Sequence, residues 1–256
     1  MRFNPATRLH LEADLAKGLI LDLSAAHTHR LQTVLRLKSG AVAAFFNGRD
    51  GEFLGRLDFP GKRQGRAELL EQIRLPRNEG DLWLAFAPVK RAPIDYLVEK
   101  ATELGVSALR PVFTERTIVE RLKLDRLRAH AIEAAEQSER LTVPELLPPL
   151  PLPEMIANWP NGRHLLLLDE SGTSPPLREA LSTWDWGQES GRDSGSWGVL
   201  VGPEGGFTQS ELDALKKLPF VCAAGLGPRV LRADTAALAG LAAFQALIGD
   251  WRGTPV

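Results

Sequence analysis

Residues 201–212 read VGPEGGFTQSEL, and they close the apolar run Trp197–Val201. An unbroken apolar run of this length fits a strand buried on both faces, as in a parallel sheet. Gly202-Pro203-Glu204-Gly205-Gly206 cannot extend that strand, because proline donates no hydrogen bond and paired glycines favour a tight turn. Thr208 and Glu211 then stand at capping-box spacing, so a helix starts there. Strand, glycine turn and helix in so short a stretch form a βα unit, the building block of an α/β fold.

The same rhythm extends outward. Leu82–Ala87, Val106–Phe113, His164–Asp169 and Phe220–Leu226 read as further buried strands. Ile94–Leu104, Leu122–Arg140 and Asp234–Ile248 read as helices between or after them. Alternation of this kind predicts a mostly parallel sheet covered on both faces. The small residues of 234–248, with Gly240 in the interior, predict close backbone packing, either beneath the rim loops or against a second subunit. Residues 144–153 (PELLPPLPLP) read as a stiff connector, and 187–198 as a polar glycine- and serine-rich loop.

Before about Ile73 the segments are shorter. Gly18–Leu23, Ala41–Asn47, Glu52–Phe59 and Arg66–Ile73 read as strands, with Ala26–Leu37 as one helix. Asn47-Gly48-Arg49-Asp50-Gly51 has hairpin chemistry, since asparagine and glycine accept positive φ cheaply. The expected division is therefore a small β-barrel-like domain over 1–74 and an α/β domain over 75–256.

The 256 residues carry a net charge of −1, unevenly spread. Residues 1–74 hold 12 Lys+Arg against 8 Asp+Glu, and the remainder 19 against 24. A basic front predicts that the first part meets a polyanion. No apolar run approaches the roughly 20 residues of a membrane span. The stretch MRFNPATRLHLEADL lacks the apolar centre of a secretory signal, so a cytoplasmic protein is expected. Cys222, the single cysteine, excludes an internal disulfide and sits inside an apolar run as a core residue. His27 and His29 are two apart and face different ways on a helix, and the other histidines lack partner ligands in sequence, so no metal site is expected.

In parallel α/β sheets ligands sit beyond the carboxyl ends of the strands. Three strands here end in suggestive loops: Leu168-Asp169-Glu170-Ser171-Gly172, Gly202–Gly206, and Leu226-Gly227-Pro228-Arg229-Val230-Leu231-Arg232. A phosphate cradle fails on charge, because no P-loop lysine is present and Glu204 would repel the anion. Glycines that admit a close ligand, with acids nearby, suit a cationic or flat neutral molecule. S-adenosylmethionine, with its sulfonium, ammonium and adenine, fits that description.

"LVGPEGGFTQSEL" and "LGPRVLRADTAALA", together with "EKATELGVSALRPVFTERT", "EQSER" and "HRLQTVLRLKSG", resemble the SPOUT-superfamily methyltransferases that act on N3 of a uridine in 16S ribosomal RNA. The resemblance implies a small PUA-like β-barrel N-terminal domain plus a SPOUT α/β domain with a C-terminal trefoil knot. It also implies a homodimer working on the small ribosomal subunit. S-adenosylmethionine would be held at Leu168, Asp169, Gly202, Pro203, Glu204, Gly205, Gly206, Leu226, Gly227, Val230, Leu231 and Thr235. The related pattern has Glu-Thr where this chain has Asp234-Thr235, and charged residues where Ala92-Pro93 follow Lys90-Arg91.

Methyl transfer from a sulfonium is a direct displacement that needs alignment. Uridine N3 must also lose a proton, and a positioned cation would stabilise the resulting anion. Arg232 is the favoured residue for this role, with Arg229 beside it; the alternative is that Arg232 only caps carbonyls or pairs with Asp234. Carbon-5 methylation, which generally uses a nucleophilic cysteine, is disfavoured by the core position of Cys222. RNA contacts are expected from Arg2, Arg30, Arg36 and Lys38, joined by Arg116, because arginine binds phosphate in bidentate fashion. Two other functions compete: a ribose 2′-O-methyltransferase or one acting on transfer RNA, and a noncatalytic RNA-binding protein.

Overall fold

The computed structural model describes residues 5–61, 63–89, 91–184 and 195–252. Arg2, Lys90 and most of the polar loop 187–198 lie outside them. The chain divides into two compact units, Met1–Asn78 with Ala135–Val143, and Glu79–Ala134 with Pro144–Val256. The sequence division at 74/75 did not anticipate that residues 135–143 group with the first unit.

The first unit is a five-stranded sheet in the order β1-β3-β4-β5-β2. Its strands are β1 (Arg8–His10), β2 (Ile20–Leu23), β3 (Val42–Asn47), β4 (Gly51–Gly61) and β5 (Gln64–Arg74). β1 runs parallel to β3, and the remaining pairs are antiparallel. The expected hairpin joins β3 to β4: the Asn47 side-chain oxygen accepts from the Arg49 and Asp50 amides, and Gly51 has φ +85°. Phe45 and Phe46 are both fully buried although adjacent, so β3 is covered on both faces. Phe45 joins the core of Leu9, Leu31, Leu57 and Leu69, whereas Phe46 packs on Ala135 and Leu141.

Residues 135–143 are also held by charge. The Arg8 Nε donates to Glu52 Oε1 at 2.5 Å, and its other nitrogens donate to the carbonyls of Ala135, Glu136 and Arg140 at 2.9–3.1 Å. A cation at the last carbonyls of a helix satisfies acceptors that have no partner within it. The expected helix over 26–37 is shorter. α1 (Ala25–His29), capped by Ser24, passes into a π-turn over Arg30–Val34, and Arg36 at φ +54° leaves the helical region altogether.

The second unit carries the parallel sheet in the order β12-β10-β11-β6-β7-β8. Its strands are β6 (Leu82–Phe86), β7 (Ala108–Phe113), β8 (Glu145–Leu146), β9 (Leu150–Pro151), β10 (His164–Leu168), β11 (Trp197–Val201) and β12 (Val221–Ala224). Every pairing is parallel. Leu165, Leu166 and Leu167 are consecutive and fully buried, the result expected for a strand covered on both faces. One correction concerns residues 144–153. They are more than a stiff connector: β8 and β9 are two pieces of one edge against β7, interrupted at Pro148-Pro149. Proline is tolerated at an edge because its missing N–H would face away from the sheet.

The helices of this unit are α2 (Arg91–Glu103), α3 (Leu124–Gln137, whose end belongs to the first unit), α4 (Leu152–Ala157), α5 (Leu177–Thr183), α6 (Gln209–Lys216) and α7 (Ala233–Leu247). Trp159, Phe207, Leu212 and Leu215 pack with Leu165, Leu167 and Leu200 in one core. α7 lies on β10 and β11 through Ala237, Gly240, Leu241 and Phe244, the spacing of one helical face. Gly240 leaves room for Leu168, whose Cδ1 would collide with any added Cβ. The small residues of α7 therefore serve close packing beneath the strand ends.

Candidate functional site

β12, β10 and β11 are neighbours, so their carboxyl ends, Ala224, Leu168 and Val201, stand side by side. The loops that follow enclose a cavity of about 400 Å³. Ligand cavities of drug-sized molecules start at roughly 300 Å³. Leu168, Asp169, Gly202, Pro203, Glu204 and Gly206 line it from two loops. Leu226, Gly227, Arg229, Val230 and Leu231 line it from the third. Gly205, Thr235 and Arg232 are not on its wall, although Ala233 and Ala236 beside them are.

Glu170 forms part of the wall and also ties two loops together. Its Oε1 accepts from the Phe207 amide at 2.8 Å. Gly206 has φ +67°, so glycine is favoured by conformation, and a Cβ there would push the same Glu170 carboxylate aside. The Gly206 amide donates back to Pro203 O at 2.9 Å, closing the turn. The predicted capping box forms: Thr208 accepts from the Glu211 amide, and Glu211 Oε2 accepts from the Thr208 amide at 2.8 Å. Glu211 Oε1 additionally accepts from the Glu115 amide. Arg116 donates to the carbonyls of Gly205 and Phe207 at 2.8 and 3.3 Å. The segment after β7 thus buttresses the glycine loop.

Asp169 does not offer a free charge to the cavity. Its side chain is fully buried, with Oδ2 at 2.7 Å from Lys216 Nζ and 2.5 Å from Ser174 Oγ, and Oδ1 accepting from the Ser171 amide. Burial pushes this carboxyl up, but Lys216, Ser174 and Ser171 outweigh burial and hold it well below the usual carboxylate range. Glu204 is exposed on the wall and makes no hydrogen bond or ion pair with the described residues. Arg229 and Arg232 are likewise exposed and unpaired among the described residues; no Arg232–Asp234 ion pair forms. Asp234 instead accepts from the Thr235 amide at 2.8 Å in the first turn of α7.

Of the expected RNA contacts, Arg36 and Lys38 are exposed. Arg30 is engaged, its Nη1 2.5 Å from Glu136 Oε2. Arg2 lies outside the described residues. Cys222 is buried and its thiol is pushed up by burial to about 11, so no thiolate nucleophile is available at neutral pH. No group of three or more potential metal ligands gathers among the described residues. Sequence reasoning placed Glu170 in a candidate loop without giving it a role, and it missed Ser174, Pro176, Lys216 and Gly225. Glu170 could have been singled out as the acid just after the Leu168-Asp169 strand end; Lys216 had no local signal.

A parallel α/β unit whose adjacent strand ends enclose one glycine-lined cavity is a ligand-binding enzyme domain of the kind that holds a small cofactor at the sheet rim. Residues 76–245 match the family model described as an RNA methyltransferase domain, and the chain belongs to that family. It is 32% identical to the ribosomal RNA small subunit methyltransferase E of Rickettsia conorii over 96% of this chain and 97% of that one. The Synechocystis protein of the same name is also 32% identical, over 96% of this chain and 79% of that one. A Neisseria gonorrhoeae ribosomal RNA small subunit methyltransferase E, solved bound to S-adenosyl methionine, superposes with a TM-score of 0.83 at 31% identity, covering 96% of this chain and 99% of that one.

Proposed function

We propose that this protein transfers the methyl group of S-adenosylmethionine to N3 of a uridine in the 16S RNA of the small ribosomal subunit. The observation that carries the reading is the cavity at the β12-β10-β11 rim, in a family member whose relatives are small-subunit RNA methyltransferases and whose structural neighbour holds the same donor. The residues fit the donor. Gly227, with nothing within 4 Å of an added Cβ, leaves the backbone open to close approach, apolar Leu226, Val230 and Leu231 suit an adenine face, and Glu204 supplies an uncommitted negative charge for a cationic ligand.

When bound, the donor supplies an electrophilic methyl carbon beside its sulfonium. The chain aligns it: the Glu170–Phe207 and Asp169–Lys216 ties hold the two loops, so little ordering remains to be done on binding. The N3 proton would pass to solvent water, and the resulting negative charge on the uracil ring would be met by Arg229 on the wall and by Arg232, the N-cap residue of α7. Cys222, buried and protonated, takes no part.

Several finer readings belong to the same proposal. The mixed sheet of the first unit, with Arg36 and Lys38 exposed, supports a PUA-like barrel that binds RNA. A C-terminal trefoil knot is carried over from the family resemblance. A homodimer is supported by Val230, 92% exposed at the cavity mouth, where a partner would cover it; sedimentation gives the mass directly. The protein acts in the cytoplasm on small subunits, and the RNA-binding and methyltransferase domains follow the two compact units.

Labelled S-adenosylmethionine, incubated with the protein and unmodified small subunits, should place its label on uracil N3 in 16S RNA by digestion and mass spectrometry. Label on ribose or on transfer RNA would favour the ribose reading, and no label a noncatalytic role. Arg232→Ala should retain donor binding and lose methyl transfer; near-normal turnover defeats the role given to Arg232.

A further inference from the structure

A second cavity, of about 190 Å³, opens in the same unit among Val89, Asp95, Val119, Arg121, Lys123 and Arg126. It is smaller than a pocket that encloses a whole drug-sized ligand, which suits one group of a longer molecule. Its floor is apolar: Val89 and Ile94 are buried, and Leu122 and Leu127 complete it. Its rim is cationic. Arg121 and Lys123 are exposed, and their side chains make no ion pair or hydrogen bond among the described residues. Arg126 is held by Asp95, whose other oxygen lies 3.7 Å from His130 Nε2, so the one acid in the cavity is already spoken for. This surplus of positive charge stands out because residues 75–256 are acidic overall.

The cavity is placed by the same segment that supports the donor loops. Arg116 clamps Gly205 and Phe207, and five residues later Arg121 lines the second cavity. Five residues span at most about 18 Å. A single strand whose target base reaches the donor loops can therefore reach the second cavity within a few nucleotides. Resting on the methyltransferase reading above, we propose that this second cavity holds a nucleotide flanking the target in single-stranded RNA. Arg121 and Lys123 would take the phosphates on its two sides, one each, and the apolar floor its base or sugar face. Splayed-out bases on apolar or guanidinium surfaces, with cations on the backbone, are how proteins read unpaired RNA.

The test compares wild type, R121A/K123A and R121K/K123R. Binding of 16S RNA is measured directly at 50 and 200 mM salt, and donor binding by calorimetry. Removing two phosphate contacts on a single strand lowers the salt slope by about 1.4, so the double alanine variant should lose about sevenfold less affinity than wild type over that fourfold change in salt. Its KM for small subunits should rise with kcat moving less, donor affinity should stay at the wild-type value, and the charge-preserving variant should behave as wild type. Wild-type RNA affinity and salt slope in R121A/K123A would overturn the proposal. So would a raised KM with an unchanged salt slope, which would mean a protein surface of the subunit meets this cavity instead. If the wild type binds RNA but methylates nothing, the proposed function falls while the binding comparison still decides the cavity; if the wild type binds no RNA, both fall.

Discussion

Lys216→Met isolates the tie on which the shape of the cavity depends. Lys216 ends α6, and its Nζ reaches both Asp169 Oδ2 at 2.7 Å and Thr173 Oγ1 at 2.9 Å. Removing one partner of a buried ion pair costs about 3–5 kcal/mol, because the remaining charge stays buried without compensation. Here Lys216 keeps 28% of its side-chain surface in water, and Ser171, Thr173 and Ser174 still donate to the carboxylate. The expected loss is thus nearer 2 kcal/mol, by the usual strength of hydrogen bonds to charged groups. Urea unfolding should show the midpoint falling with an unchanged slope, and donor affinity should fall roughly tenfold as the 169–174 loop loosens.

The pH dependence follows from the sign of the shift. Asp169 is depressed in the folded protein, so its contribution is full above the unfolded carboxylate value of about 3.9 and is lost as pH falls through the folded value. The gap between wild type and Lys216→Met should accordingly narrow below about pH 4. D169N/K216M removes the stranded charge and should recover at least about 1 kcal/mol relative to the sum of the single changes. A Lys216→Met cost below about 0.5 kcal/mol, or strict additivity in the double variant, would refute the reasoning, since surface pairs behave that way.

Gly206→Ala combines a positive φ with a collision against Glu170, so a stability loss of about 1–3 kcal/mol and weakened donor binding are expected by thermal shift; wild-type binding would show that the turn can be rebuilt. Cys222 should resist a thiol reagent at pH 8 until denaturant is added, and Cys222→Ala should leave methyl transfer intact; rapid labelling of the native protein would contradict its burial.

Much of the site was legible because its signals are local. The capping box of Thr208 and Glu211, the glycine turn before it and the strand ends at Leu168 and Val201 each depend on neighbours within a few residues. The ties that shape the cavity were not legible. Lys216 meets Asp169, Glu211 meets Glu115 and Arg116 meets Gly205 only after distant segments are brought together. Edge strands β8 and β9 were hidden for a related reason: their prolines signal a break, and only the free edge of β7 makes a strand of what remains.

By itself, the amino-acid order determined most of the longer strands and helices and which turns carry glycine beside an acid, since periodicity and turn chemistry act over short distances. The tertiary structure alone decided that β10 lies between β12 and β11, which gathers three loops far apart in the chain around one cavity. Strand order is set by long-range packing on α7 and the opposite core, and no local pattern encodes that choice.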